Sequence, residues 1–155
     1  MPRFANKRRV GHSATQMFDL VADVESYPQF VPLCEALKVR QRTSAPDGTE
    51  VIVADMTVAY KMIRETFTSR VVLDRANLKI NVAYLKGPFS NLDNRWSFEP
   101  HGENACDVGF FIAYEFKSRV LAMVMGAMFD AAFHRFAAAF EERAHVVYGK
   151  PASPV

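Results

Sequence analysis

The sequence has 155 residues, of which 50% are hydrophobic and 23% are charged, and this is enough for one domain with a sizeable core. A formal net charge of only +2 excludes nucleic-acid binding driven by bulk charge. Cys34 and Cys106 form no closely spaced motif, which favours a reducing, intracellular compartment. Neither an apolar leader nor an uninterrupted apolar stretch of about 18 residues is present, so we expect no secretory signal and no membrane-spanning helix.

The N-terminal part of the chain begins with a short basic strand, predicted over residues 3–12. Ser13 then offers an N-cap, and apolar residues at helical spacing predict a helix through about residue 24. Pro28 and Pro32 bracket the segment that follows, which limits it to a short helical turn.

The hydrophobic period changes to two between residues 37 and 116. Six segments there alternate apolar and polar side chains, and turn signals at residues 45–48, 87–88 and 101–104 separate several of them. This alternation predicts an antiparallel meander with one buried face. The inward rows are nearly all apolar, and their polar exceptions are Tyr60, Ser69, Tyr84 and Tyr114.

One long helix is predicted from Ser118 to about Val147, and Gly149 and Pro151 end it. The first half of this helix, residues 120–129, is apolar on nearly every side. Such a helix cannot lie on one sheet with its other side in solvent. Its outer side must therefore meet the segment between the two prolines, a partner, a membrane or a bound apolar ligand.

These elements predict a single α+β domain over residues 1–150, with residues 151–155 as a disordered tail. A curved antiparallel sheet of about seven strands would wrap around the long C-terminal helix. We expect an apolar enclosure between the late strands, the loop at residues 87–92 and the first half of the helix.

Four stretches of the chain resemble a known family, and they occur in the family's order: residues 21–34, 65–71, 87–92 continued by 94–98, and 114–118 with 139–144 and 148–149. The chain is similar to the coenzyme Q-binding START-domain family, within the wider polyketide cyclase/dehydrase and lipid-transport superfamily. The likeness extends over residues 3–149. Leu33 departs from the pattern, because many members carry Trp at this position.

The resemblance implies a helix-grip (START-like) fold with a hydrophobic cavity between the sheet and the long helix. It also implies binding of ubiquinone or a related isoprenoid lipid, as a chaperone that supports respiration or quinone biosynthesis. A bacterial branch of the family is named as ribosome-association toxins of toxin–antitoxin systems. The alternative function is therefore a ribosome-binding protein that blocks subunit association, and a cyclase/dehydratase-type enzyme is the second alternative.

Motifs of catalysis are missing from the sequence, which has no G-x-S-x-G, no HExxH and no glycine-rich phosphate loop. The four histidines are scattered, so we assign no metal. Asp55 and Glu65 are expected on the outward face as surface ion pairs. A cyclase would need charged pairs that face inward, so we predict a binding protein without a catalytic cofactor rather than an enzyme.

Ligand contacts are expected from the segment between the prolines, the inward rows, the loop after Gly87 and the long helix. Quinone carbonyls accept hydrogen bonds and cannot donate them, so the inward Tyr and Ser hydroxyls are suitable partners. The predicted ligand-binding residues are Phe30, Val31, Leu33, Tyr60, Phe67, Tyr84, Phe89, Leu92, Trp96, Tyr114, Leu121, Met125, Met128 and Phe129. The quinone, its tail length and the oligomeric state remain open at this stage.

Basic residues occupy outward positions of the early strands. A solvated sheet surface explains them, and the functional alternatives are peripheral contact with an anionic membrane or, in the toxin-like interpretation, with ribosomal RNA. We expect a cytoplasmic protein that can lie at the inner face of the membrane, or at the matrix side in a mitochondrion. The residues concerned are Lys38, Arg40, Arg42, Arg64 and Arg70, with Lys7, Arg8 and Arg9 nearby.

Overall fold

The computed structural model describes residues 2–151, which contain seven strands, two α-helices and one 3₁₀ helix. In chain order these are β1 (Arg3–Val10), α1 (Ala14–Ala22), the 3₁₀ helix Val24–Gln29, β2 (Cys34–Ser44), β3 (Glu50–Tyr60), β4 (Ile63–Asp74), β5 (Lys79–Lys86), β6 (Phe89–Pro100), β7 (Cys106–Phe116) and α2 (Arg119–Tyr148). The disordered tail predicted over residues 151–155 lies outside the described residues except for Pro151.

The strands form one antiparallel sheet in the order β1-β7-β6-β5-β4-β3-β2. The predicted meander corresponds to β2 through β7, and β1 pairs with β7 so that Arg3 lies opposite Ala113. Register shifts interrupt the β2–β3, β4–β5 and β6–β7 pairs. Such bulges bend strands and increase their twist, which lets the sheet curve around α2. The predicted α+β helix-grip fold is confirmed.

Helix α1 is followed closely by the 3₁₀ helix. Ser13 accepts a hydrogen bond from the Gln16 amide, and the Gln16 side chain accepts one from the Ser13 amide, so a capping box fixes the start of α1 as predicted. The helix ends at Ala22, two residues earlier than predicted. A 3₁₀ helix follows, and the Tyr27 hydroxyl donates to the Val21 carbonyl and so ties the two helices together.

The sheet has two different ends. At the first, β1 leads into α1, and the buried side chains of α1 pack against the sheet: the Phe18 ring meets Phe98 edge-on, with 5.8 Å between the ring centroids. We call this the α1 end. At the second, which we call the hairpin end, lie the start of β2, the β3–β4 hairpin, the β5–β6 turn and the first turn of α2.

Helix α2 has 30 residues, begins at the N-cap Ser118 and ends at Gly149, whose φ of 86° suits glycine. One side of the helix is buried: Met125, Phe129, Ala132, Phe133, Phe140 and Ala144. The first turns also expose apolar side chains. By length and composition α2 could cross a membrane, contrary to the expectation from its longest apolar run, but the core helix of a globular domain meets the same criterion.

Two histidines that are 133 residues apart in the sequence meet at the α1 end. His12 is buried, and its Nε2 lies 2.9 Å from Nδ1 of His145 on α2. The expectation of scattered histidines is wrong for this pair, because the end of β1 lies beside the last turns of α2. Burial lowers the pKa of His12, the neighbouring His145 lowers it further, and Glu141 opposes both effects. Burial and the neighbouring imidazole therefore both favour the neutral form of His12.

We expect the folded protein to lose stability as the pH falls from about 7.5 through the ordinary histidine pKa of about 6.5. The unfolded chain binds a proton at His12 in this range more readily than the folded chain, so protonation favours unfolding. Urea denaturation at several pH values measures the slope. It should flatten in His12→Asn and persist in His134→Asn, whose imidazole is exposed on α2. An unchanged slope in His12→Asn would contradict the assignment.

Candidate ligand cavity

An apolar cavity lies between the concave face of the sheet, the 3₁₀ helix segment and α2. Its wall has 24 residues, and none of them is charged. The cavity volume is about 110 Å³, which is below the roughly 300–1,000 Å³ typical of pockets for drug-sized ligands. A larger ligand therefore has to displace side chains or shift α2 before it fits.

Seven of the fourteen predicted ligand-binding residues line this cavity: Val31, Leu33, Phe67, Phe89, Leu92, Trp96 and Phe129. They come from the loop before β2, from β4, from β6 and from α2, so the fold brings together four distant parts of the sequence. Whether they contact a ligand stays a prediction.

The loop at residues 87–92 contributes as the sequence analysis expected. Gly87 has a φ of 147°, and a Cβ atom there would lie 2.5 Å from Cβ of Phe67, so glycine permits the close approach of the turn to β4. Phe89 is buried and stacks on Phe129 of α2 with 5.7 Å between the ring centroids. Phe89 therefore connects the turn, the sheet and the helix.

The other seven predicted residues lie outside the cavity wall. The Tyr84 hydroxyl accepts a hydrogen bond from the Phe89 amide at 3.0 Å, and buried Tyr114 packs behind the wall on Phe133. Phe30 is partly buried and meets the buried Phe140 ring edge-on, and Tyr60 is exposed in the β3–β4 hairpin. The remaining three are on α2: Met125 is fully buried, and Leu121 and Met128 are partly buried against the core.

The helical part of the wall lies further along α2 than the sequence suggested. We expected residues 120–129, whereas the lining helix residues are Phe129, Ala132, Phe133, Phe136 and Phe140. The reason is geometric: the first turns of α2 stand at the hairpin end of the sheet, where Val120 and Met123 are exposed. Periodicity identifies the buried side of a helix but cannot fix where along its length the sheet begins.

Sequence reasoning also missed part of the wall. Val24 and Tyr27 of the 3₁₀ helix and Leu37 of β2 line the cavity, and none of the three was among the predicted ligand-binding residues. Asn94 lines it too, and this residue shares the parity of Leu92 and Trp96, so alternation along β6 could have found it.

Polar groups of the cavity wall are few: they belong to Tyr27, Ser69 and Asn94. The Tyr27 hydroxyl is satisfied by Val21, and burial raises its pKa. The Asn94 side-chain amide donates to the Phe111 carbonyl at 2.9 Å. Ser69 differs, because its Oγ is buried and has no hydrogen-bond partner. A buried hydroxyl without a partner marks a position where a ligand atom could accept its proton.

Among residues 2–151, no acidic or thiol side chain belongs to the cavity wall. Asp55 is on the outer face as predicted, where Thr68 and Arg40 hydrogen-bond its carboxylate and lower its pKa. Glu65 was assigned to the wrong face, because it pairs with buried Val58 and so shares the concave side, near the hairpin end. Burial raises the pKa of both cysteine thiols to about 11, so neither is an activated nucleophile.

The basic surface expected from the sequence is largely neutralised by ion pairs. Arg40 pairs with Asp55, Arg42 with Glu25 and Glu50, and Arg64 with Glu35. The N-terminal cations are paired as well: Lys7 with Glu99, Arg8 with Glu141 and Arg9 with Asp107. This pairing reduces the positive charge that the outer sheet surface offers to an anionic partner.

Metal ligands are not assembled in the part of the chain that the structure describes. Within residues 2–151, no three His, Cys, Asp or Glu side chains are placed to hold one ion. His12 and His145 bond directly to each other.

Most of the chain matches the model of a known protein family. The family model described as polyketide cyclase / dehydrase and lipid transport matches residues 10–141. The chain belongs to this family. The resemblance expected from its motifs is thereby confirmed.

Two curated relatives of this chain carry different names. The ribosome association toxin RatA of Escherichia coli (strain K12) is 33% identical over 148 residues, which is 96% of this chain and 90% of the relative. The mitochondrial coenzyme Q-binding protein COQ10 of Drosophila melanogaster is 30% identical over 151 residues, which is 96% of this chain but only 60% of the relative.

Solved structures of the same fold cover nearly the whole chain. A START superfamily protein from Mycobacterium smegmatis superimposes with a TM-score of 0.75 at 20% identity, covering 94% of this chain and 98% of that one. The Zhui aromatase/cyclase from Streptomyces sp. R1128 has a TM-score of 0.73 at 17% identity, covering 93% of each chain. At these identities the likeness concerns the fold alone.

Replacement of Ser69 by Ala should raise the free energy of unfolding of the ligand-free protein by about 1 kcal/mol, because it removes a buried hydroxyl that has no partner. The matched control is Thr68→Ala on the opposite face of β4, which loses the hydrogen bond to Asp55 and should destabilise the protein by about 1 kcal/mol. Urea denaturation of ligand-free protein measures both changes. A loss of stability in Ser69→Ala as large as that in Thr68→Ala would show that the Ser69 hydroxyl is bonded.

Proposed function

We propose that this protein binds ubiquinone or a related isoprenoid lipid in the cavity and acts as a quinone chaperone that supports respiration or quinone biosynthesis. The observation that carries the proposal is the chemistry of the wall, which is apolar apart from three polar side chains, one of them an unpaired hydroxyl. The name of the COQ10 relative supports the same ligand class.

The isoprenoid tail of such a ligand suits the apolar part of the cavity wall, and its head group suits the few polar side chains. Each isoprenoid carbon transferred from water contributes on the order of 0.8 kcal/mol, and this requires only a dry apolar surface. The head group brings carbonyl oxygens that accept hydrogen bonds, and the Ser69 hydroxyl can donate one. The proposal therefore places the head near Ser69 and Asn94 on the concave face.

The small volume of the ligand-free cavity sets a condition on binding. Aromatic and methionine side chains such as Phe67, Phe136 and Met56 fill the space that a tail would occupy. Thioethers and rings can change rotamer at modest cost compared with the hydrophobic free energy of burying a long tail. The protein as described is thus a closed form, and the loaded form would be wider.

The decisive experiment is organic extraction of protein purified from a quinone-replete host, followed by mass spectrometry. We expect a quinone in stoichiometric amount. Ala132→Phe should abolish its recovery, because the new ring occupies the cavity, while Ala131→Phe, on the exposed side of the same turn, should retain it. Circular dichroism confirms that both variants are folded, and Ala132→Leu provides a smaller filling residue.

Repeated recovery of no lipid from the unsubstituted protein would contradict the proposal. Equal recovery from Ala132→Phe and Ala131→Phe would place the lipid outside this cavity. The same proposal puts the protein in the cytoplasm with peripheral contact at the inner face of a membrane, or at the matrix side in a mitochondrion.

Ribosome binding that blocks subunit association is the second candidate, because several relatives are named as ribosome association toxins. Lys38 and Arg70 remain on the outer sheet surface without an ion pair among the described residues. Co-sedimentation with large ribosomal subunits that weakens steeply with salt, together with protein free of lipid, would favour this candidate. A cyclase/dehydratase-type enzyme is supported only by the fold of neighbours such as the Zhui aromatase/cyclase.

A further inference from the structure

Exposed apolar side chains are concentrated at the hairpin end of the molecule. Of the nine large hydrophobic residues that are exposed within residues 2–151, three are in the last turn of α2. The other six come from the β3–β4 hairpin, the end of β5 and the first turns of α2: Tyr60, Met62, Leu85, Val120, Met123 and Val124. Met62 is 99% exposed and Met123 is 83% exposed, so neither side chain packs against the protein. We call these six residues the apolar tip.

Topology places the apolar tip on one side of the molecule. Strand β3 ends and β4 begins at the hairpin, β5 ends and β6 begins at the next turn, and β7 ends where α2 begins. The Lys117 amide donates to the Pro88 carbonyl at 2.9 Å, which joins the start of α2 to the β5–β6 turn. The Ala59 amide donates to the Leu33 carbonyl, which joins the hairpin to the loop before β2.

Four cations accompany the apolar tip: Lys61, Lys86, Lys117 and Arg119. Each is exposed, and no ion pair joins any of them to an acidic residue in the part of the chain that the structure describes. The contrast with the outer sheet surface is clear, since most arginines there are paired. Glu65 and Glu115 are the nearest carboxylates along the chain that form no ion pair, so the cations are in excess at this end.

The hairpin itself carries a conformational cost. Lys61 has a φ of 55°, in the left-handed region that two-residue hairpin turns normally fill with Asn or Gly. A lysine in this conformation is strained. The side chain of the adjoining Met62 is in contact with water unless something outside the chain covers it. The turn thus combines a strained backbone with an exposed apolar side chain.

The hairpin end is the end of the cavity that α1 does not cover. At the opposite end, the buried side chains of α1 close the space beneath the sheet. Leu33, Val58 and Phe89 are lining residues near the hairpin end, and each adjoins a segment that carries the apolar tip or its cations. A lipid that leaves the cavity there meets apolar side chains first and cations around them.

We propose that the apolar tip, with Lys61, Lys86, Lys117 and Arg119, docks on the surface of an anionic phospholipid bilayer and turns the hairpin end of the cavity toward it. Apolar side chains enter the interface, and the flanking cations meet the phosphate groups. The proposal rests on the proposed lipid binding, because a carrier of a membrane lipid has to reach the membrane. It replaces the paired outer sheet surface as the site of membrane contact.

The test is flotation of the full chain with vesicles of phosphatidylcholine alone and of phosphatidylcholine mixed with phosphatidylglycerol. We expect binding to the anionic vesicles that weakens with salt, and little binding to the neutral ones. Lys61→Gln with Lys86→Gln should weaken binding by about 25-fold, at about fivefold for each cation. Met62→Ser with Met123→Ser should weaken it by more than about tenfold.

Matched controls come from the rest of the surface. Val146→Ser with Val147→Ser removes exposed apolar side chains at the far end of α2, and Lys38→Gln with Arg70→Gln removes unpaired cations of the outer sheet surface. Both controls should bind like the unsubstituted protein. Equal loss in the controls and in the tip variants would overturn the proposal, as would equal binding to neutral and anionic vesicles.

Lipid extraction from the same preparations separates this proposal from the proposed function. Protein that carries a quinone but does not float with anionic vesicles overturns the docking surface alone. Protein that floats through the apolar tip but never carries a quinone supports docking and contradicts the quinone. If the protein does not bind vesicles but forms a dimer that Met62→Ser dissociates, the apolar tip contacts a second copy of this chain. If the tip variants lose only co-sedimentation with ribosomes, the apolar tip contacts the ribosome. Either result overturns the proposal.

Discussion

The packing of α2 on the concave face of the sheet is the interaction on which the remaining structure depends. Phe89 stands at its centre: the ring stacks on Phe129 of α2 and on Phe116 of β7, and it meets Phe67 and Tyr84 edge-on. Phenylalanine offers a large apolar surface without a polar atom that needs a partner. A core built in this way can separate locally and admit an apolar guest without leaving a broken hydrogen bond behind.

The same composition explains how the wall treats polar groups. A bound head group finds few partners in such a wall, so each one matters for orientation. Ser69 is costly in the closed form because its hydroxyl is desolvated and unpaired. A guest that accepts this hydrogen bond recovers the cost, whereas a purely hydrocarbon guest does not. Discrimination between isoprenoid lipids would therefore depend on a few polar atoms, while the tail is recognised only by its length and its apolar surface.

How much of this could be predicted from the sequence differs from element to element. The alternation of Trp96 and Phe98 with polar residues identified β6 and its buried face, and Ser13 identified the start of α1, because both signals are local. The contact between His12 and His145, or between Arg42 and Glu25, joins distant parts of the chain, and no local pattern encodes it. Glu65 was misplaced because charge was given more weight than its parity in the row of Phe67.

The cavity itself shows the same limit. Of its predicted residues on the strands, Phe67, Leu92 and Trp96 line the wall because inward parity places a side chain on the concave face. Position along a helix, in contrast, depends on where the sheet ends, and so the helical wall was expected one to three turns too early. The lining by Val24 and Tyr27 of the 3₁₀ helix could not be predicted, since a helix of six residues is too short for a periodicity that fixes its orientation.

Polar contacts along α2 are distributed unequally, and this bears on how the cavity can widen. At the α1 end, His145 bonds to His12, the Tyr148 hydroxyl donates to the Gln16 carbonyl, and Glu141 pairs with Arg8. Near the hairpin end, the first half of α2 meets the sheet through apolar side chains, and the backbone of Lys117, just before α2, donates to Pro88. Apolar contacts can slide with little loss, whereas each directional bond resists displacement. Widening is therefore easiest at the hairpin end, the end that a lipid would use.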